Sequence, residues 1–105
     1  MGKNKEFDRV FKTGQTFYSS IFSIKIVDNN MDVTRLGILI STKISKKAVI
    51  RNHFKRQIRE IIQSQLAKIK TGKDIVIVVF PQIIDKNFQE VENAINIGLK
   101  RLNLY

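Results

Sequence analysis

The sequence predicts an α+β fold, a single-domain sandwich of one sheet packed against helices. Three observations carry this. Apolar residues recur at helical spacing in three separate segments, β-branched and aromatic residues cluster in the segments between them, and turn-forming residues divide the two kinds. The resulting order is α, β, β, α, β, α. A chain of 105 residues suits one domain over 1–105 and leaves no room for two.

The first helix is read over Asn4 to Lys12, where Phe7, Val10 and Phe11 share one face and Gly14 supplies a stop. Thr16 to Val27 reads as strand, because Phe22, Ile24 and Ile26 alternate with Ser23 and Lys25. The pair Ser19-Ser20 is placed to kink or split it. Asp28-Asn29-Asn30 is turn chemistry, and Arg35 to Ser41 is the next strand, expected to pair with the preceding one as an antiparallel hairpin. The longest helix opens at Lys46 or Lys47 and is expected to reach about Ile69, with Ile50, Phe54, Ile58, Ile61, Ile62 and Ile69 on one broad face and Thr71-Gly72 closing it. Asp74 to Phe80 is a continuous branched apolar run, suited to a strand buried on both faces and stopped by Pro81. A last helix runs to Leu102 with Asp85 as its expected cap, and Phe88, Val91, Ile95, Leu99 and Leu102 are expected to face inward.

Charge narrows the function. Lys and Arg number 19 against 9 Asp and Glu, a net +10 at pH 7. A small domain with that excess repels itself unless its partner is a polyanion. Cysteine is absent, which excludes disulfides, zinc-thiolate sites and thiol nucleophiles and fits a reducing cytoplasm. No apolar run approaches the roughly 18 residues of a membrane-spanning helix, so no membrane partner is expected, and Met1 to Glu6 lacks the apolar stretch of a secretory signal.

The cations are unevenly placed. Lys43, Lys46, Lys47, Arg51, Lys55, Arg56 and Arg59 fall in one segment that contains no acid. Arg51, Lys55 and Arg59 step by i+4 down one stripe, with Asn52 and Arg56 beside it. Like charges at that spacing repel by a few tenths of a kcal/mol per pair. Solvated helix faces usually interleave Glu with Lys; this one points to an anionic partner. Guanidinium forks suit phosphate, and Asn can read a base edge or a sugar hydroxyl. Phe7 and Phe11, one helical turn apart, either pack in the core or line a cleft where unpaired bases stack, and Tyr18 is a further candidate for that role.

Catalytic constellations are lacking. His53 is the only histidine and lies within the basic helix, so a nucleolytic His pair is impossible and an RNA contact is its natural role. Asp74 and Asp85 stand at element starts, where capping accounts for them. No spacing resembles a carboxylate metal cage or a glycine-rich phosphate loop. The chain reads as a binder, with no catalytic or metal-ligating residue of its own.

Arg51-Asn52-His53-Phe54-Lys55-Arg56-Gln57-Ile58-Arg59 resembles the signature helix of the bacterial ribonuclease P protein, Arg-Asn-Arg followed by x-Lys-Arg-x-x-Arg. Lys43 to Ile50 resembles the basic lead-in of that family, Phe7-Asp8-Arg9-Val10-Phe11-Lys12-Thr13-Gly14 its Phe-x-x-Val-Phe-x-x-Gly, and Asp74 to Val78 its buried strand. The resemblance implies a four-stranded sheet with a left-handed β-α-β crossover through the basic helix. It implies a cytoplasmic bacterial subunit whose partners are the ribonuclease P RNA and precursor tRNA. In that holoenzyme the RNA hydrolyses the phosphodiester with Mg²⁺ and the protein holds the single-stranded 5′ leader. On this reading Lys43, Lys46, Lys47, Arg51, Asn52, His53, Lys55, Arg56 and Arg59 contact RNA, and Phe7, Phe11, Tyr18 and Lys25 line the leader cleft. Two positions depart from the pattern: His53 replaces the third signature residue, Arg, and Lys25 stands where some relatives carry a cleft aromatic. Another small basic RNA-binding module, such as a ribosomal protein or assembly factor, is the alternative reading, and a protein-only nuclease is a third.

Overall fold

The computed structural model describes residues 15–40, 43–65 and 68–102. Its elements are β1 (Gln15–Tyr18), β2 (Phe22–Asp28), β3 (Arg35–Leu39), α1 (Ala48–Gln63), β4 (Lys73–Val79), a short 3-10 turn (Pro81–Asp85) and α2 (Phe88–Arg101). The helix expected over Asn4 to Lys12 lies outside the described residues.

The strand read over 16–27 is two strands. Ser19 Oγ accepts from the Ile21 and Phe22 amides at 3.2 Å each and donates to the Phe22 carbonyl at 3.1 Å, which closes a tight turn. β1 and β2 are therefore the hairpin, with Phe17 opposite Ile24. The hairpin expected between β2 and β3 does not form. The sheet order is β1-β2-β4-β3, with β4 antiparallel to β2 and parallel to β3. The apolar run of β4 is the reason: a strand with both faces buried belongs at the centre of a sheet, where both edges are also paired. The turn chemistry after β2 serves instead to tie that connection to the start of β4. The Asn29 amide donates to the Gly72 carbonyl at 2.9 Å. Gly72 has φ 78°, and a Cβ there would lie 2.9 Å from the Met31 carbonyl oxygen, so the turn needs glycine.

The cross-strand register sorts side chains into two faces. Phe17, Ile24, Ile77 and Ile38 share one row of one face, and Ile26, Ile75 and Leu36 the next. These join Phe54, Ile58, Ile61 and Ile62 of α1 and Val91, Ile95 and Leu99 of α2 in a single core. Close approach of α2 rests on Gly98, where a Cβ would stand 2.7 Å from Ile24 Cδ1 and 2.8 Å from the Phe17 ring. The second face carries Tyr18, Ser23, Val78 and Leu39 in one row and Thr16, Lys25, Val76 and Gly37 in the next. Since β3 and β4 are parallel neighbours, α1 is the crossover of a β-α-β unit, the unit that the family resemblance implied.

Two boundaries and one inward-facing residue differ from expectation. α1 stops at Gln63 rather than near Ile69, because the Ser64 hydroxyl bonds back to the Ile61 carbonyl at 2.7 Å. Ile69 is buried all the same, in the turn beyond. The N-cap of α2 is Asn87, whose side chain accepts from the Glu90 amide at 2.9 Å, while Asp85 ends the turn opened by Pro81. Phe88 is 42% exposed, and packing on α2 begins at Val91.

Asp74 is not a cap. It is fully buried and accepts from Arg35 Nε at 2.8 Å, from Arg35 Nη2 at 2.7 Å and from Asn29 Nδ2 at 3.0 Å. This fork joins the first residue of β3 to β4 and to the preceding turn. Removing one partner strands a buried charge, which costs about 3 to 5 kcal/mol. The Arg35 side chain keeps 25% exposure, which puts the expectation at the lower end. Arg35→Met should therefore lower the urea unfolding midpoint by at least about 1 M; an unchanged midpoint would show that the pair contributes no net stability.

Candidate nucleic-acid interface

α1 is amphipathic in the plainest sense. Phe54, Gln57, Ile58, Ile61 and Ile62 are buried, whereas Asn52, His53, Arg56 and Arg59 are exposed, and Arg51 and Lys55 lie along the boundary. The apolar residues fix which face looks outward, and that face carries the cations. Asn52, Lys55, Arg56 and Arg59 together line a surface groove of about 280 Å³. None of the four forms an ion pair among the described residues.

The lead-in is held against the helix. Ile44 is buried in the core, and Arg51 donates to the Ser45 carbonyl at 2.8 Å. Lys43, Lys46 and Lys47 are exposed on either side of that anchor. Ser45 Oγ accepts from the Lys47 amide at 3.1 Å, but Lys47, the N-cap, places no side-chain cap on the helix, and the first turn contains no acid. The positive end of the helix dipole thus coincides with the densest run of cations, an arrangement suited to anions. His53 stands on the flank opposite Arg51 and meets Phe54 edge to face, with ring centroids 5.2 Å apart.

A different region gathers Tyr18 and Lys25. Tyr18 is 68% exposed at the edge strand, and Lys25, half-buried, pairs with Thr16 on the same face. The row from Tyr18 through Ser23 and Val78 ends at Leu39, which borders an apolar pocket of about 440 Å³ with Lys43 at its rim. Phe7 and Phe11 lie outside the described residues. The structure therefore brings the signature residues together on α1 and its lead-in, and places Tyr18 and Lys25 on the second sheet face.

Two features escaped the sequence reading. Gln57 sits within the buried side of α1 with its Oε1 unpartnered, although its position on the helical wheel marks that side. The pocket at Leu39 and Val78 depends on β3 lying beside β4, which the expected hairpin did not provide.

The profile of the family described as Ribonuclease P matches residues 1–103. The chain belongs to the ribonuclease P protein family. The ribonuclease P protein component of Pseudanabaena sp. strain PCC 6903 is 39% identical over 90 residues, covering 85% of this chain and 78% of that one. That of Clostridium botulinum strain 657 is 33% identical over 104 residues, covering 98% and 93%. The RNase P protein of Staphylococcus aureus superposes with a TM-score of 0.92 at 30% identity over 100% of this chain and 95% of that one. The Thermotoga maritima protein superposes at 0.81 and 30% identity over 91% of each. The chain is accordingly a subunit of ribonuclease P, the tRNA-processing endoribonuclease, and the ribonuclease P RNA is its partner. Among the described residues, no three His, Cys, Asp or Glu side chains come together as a metal site, and no helix is long and apolar enough to cross a membrane.

If the exposed stripe of α1 meets phosphate, each lost cation contact should reduce the slope of log affinity against log salt by about 0.7 to 0.9. Arg56→Ala should do so for binding of the ribonuclease P RNA while leaving the melting curve in place. A wild-type slope in that variant would assign Arg56 to solvent.

Proposed function

We propose that this subunit uses two separate surfaces for two RNAs: the exposed stripe of α1 and its lead-in against the ribonuclease P RNA, and the second sheet face for the single-stranded 5′ leader of precursor tRNA. The observation that carries the reading is the partition itself. The carboxylate-free stripe Arg51, Asn52, Lys55, Arg56 and Arg59 faces away from the core on one side of the sheet. The exposed Tyr18 ring and Lys25 share the other face of the sheet, whose β3 edge borders an apolar pocket. A stripe of guanidinium and ammonium groups with one amide fits a folded phosphate backbone. An exposed aromatic with a cation one row away fits an unpaired strand, whose bases stack and whose phosphates need a counter-charge. Lys43, at the rim of the pocket and at the start of the lead-in, joins the two surfaces.

Hydrolysis falls to the RNA, with Mg²⁺ held mainly by RNA. This chain's part is to position the leader and to neutralise phosphates, which lets metal ions settle near the scissile bond at lower concentration. His53, in place of the family's Arg, supplies a weaker contact, and Lys25 supplies a phosphate contact where an aromatic would stack.

The test is a ratio measured in the reconstituted holoenzyme. Adding the chain to ribonuclease P RNA should raise cleavage of precursor tRNA at limiting Mg²⁺. Tyr18→Ala should then weaken precursor binding by roughly tenfold, since base stacking contributes about 1 to 3 kcal/mol, and should leave mature tRNA, which has no leader, unaffected. Equal losses for both ligands would remove Tyr18 from the leader path, and cleavage indifferent to the chain would contradict the proposed role.

A further inference from the structure

A second carboxylate-poor surface lies at the far end of α1, where it meets the exposed side of α2. On α2 the residues Gln89, Asn93, Asn96 and Lys100 recur at i, i+4, i+7 and i+11, which places them on one stripe. Gln89 Nε2 donates to Asn93 Oδ1 at 3.0 Å. Across the helix pair, Gln65 donates to Asn96. Two shallow concavities meet at Asn96. One, of about 500 Å³, is lined by Asn93, Asn96, Ile97 and Lys100. The other, of about 420 Å³, is lined by Ser64, Gln65, Lys68 and Asn96. Their shared residue makes them one groove with a lysine at each end and amides between.

The charges here are not used inside the fold. Lys73 is paired with Asp28 and Lys86 with Glu90, but Lys68 and Lys100 have no acidic partner among the described residues. The exposed Lys70 and Arg101 stand close in sequence to them and add to the same local excess. Glu90, paired with Lys86, and the half-buried Glu92 flank this stripe on α2, and Glu60 lies one turn before the end of α1. Amides that donate and accept and cations spaced along a groove form the same chemical set as the signature stripe of α1, here beside Ile97, which is 52% exposed.

We propose that this groove is a second contact for the ribose-phosphate backbone of the ribonuclease P RNA, with Lys68 and Lys100 on phosphates and Asn93 and Asn96 on sugar hydroxyls or base edges. The inference rests on the reading that the chain binds that RNA. Because α1 rises about 1.5 Å per residue, the groove at Gln65 lies roughly 14 Å along the helix axis from Arg56. The two contacts would be engaged by separate helices or strands of one folded RNA, and each would raise the effective concentration for the other.

Cations at helix C-termini also interact favourably with the helix dipole, so the test must separate stability from binding. In the full chain, Lys68→Gln with Lys100→Gln should reduce the salt slope for ribonuclease P RNA by about 1.4 to 1.8, from two contacts of about 0.7 to 0.9 each. It should weaken affinity severalfold at low salt, add to the loss caused by Arg56→Ala, and leave the melting temperature near that of the wild type. A wild-type slope, whether or not the melting temperature falls, would overturn the proposal and assign these lysines to helix ends or solvent. If Arg56→Ala flattens the slope and the double variant does not, only the second surface fails. If the wild-type chain itself binds the RNA without salt dependence, the reading beneath it fails as well.

Discussion

The apolar face of α1 decides how the rest of the molecule can be used. A helix that stacks Arg51, Lys55 and Arg59 at i+4 spacing works against itself by a few tenths of a kcal/mol per pair, and its N-terminus adds a partial positive charge. Burial of Phe54, Ile58, Ile61 and Ile62 opposes this. At about 1.5 to 3 kcal/mol for each fully buried side chain, that term exceeds the repulsion several-fold. The helix is thus held by the core while Lys55, Arg56 and Arg59 on its outer face have no acidic partner among the described residues. An anionic partner relieves the repulsion without having to fold the helix first.

The sheet fixes where that face points. With β4 between β2 and β3, the chain must cross from β3 to its parallel neighbour, and α1 is the crossing. Asp74 secures the far end of this unit by accepting from both Arg35 and Asn29. The near end is secured by buried Ile44 and by the bond from Arg51 to the Ser45 carbonyl. A signature arginine therefore also holds the lead-in, so its loss would disturb geometry as well as charge. Both described helices pack on the side of Ile24 and Ile77, and on the opposite sheet face Tyr18 is exposed at the edge strand while Ser23 and Val76 are buried.

Much of this was legible in the sequence, and the failures have physical causes. Period-3.6 patterning found α1 and α2, and the branched run Ile75 to Val79 announced a central strand. The same run should have displaced the expected β2–β3 hairpin, but strand neighbours are set by long-range pairing, to which local turn chemistry at Asp28-Asn29-Asn30 is blind. Ser19, Ser64 and Asn87 shifted element ends because their side chains compete for backbone groups. Asp74 looked like a cap because Arg35, its partner, is 39 residues away in sequence. The signature stripe was legible since it lies within one helix. The pocket beside Leu39 and Val78 and the groove between α1 and α2 were not, since each joins elements distant in sequence.

In the proposed division of labour, opposite sides of one sheet serve different RNAs. The chain has no cysteine, so a single introduced one carries a unique label. An iron chelate that generates hydroxyl radicals can be attached at Glu60→Cys, on the exposed side of α1, or at Thr16→Cys, on the second sheet face. In the holoenzyme with precursor tRNA, the Glu60→Cys label should cut the ribonuclease P RNA and spare the leader, and the Thr16→Cys label should cut the leader. Leader cleavage from the Glu60→Cys label, or none from the Thr16→Cys label in an active holoenzyme, would contradict the account.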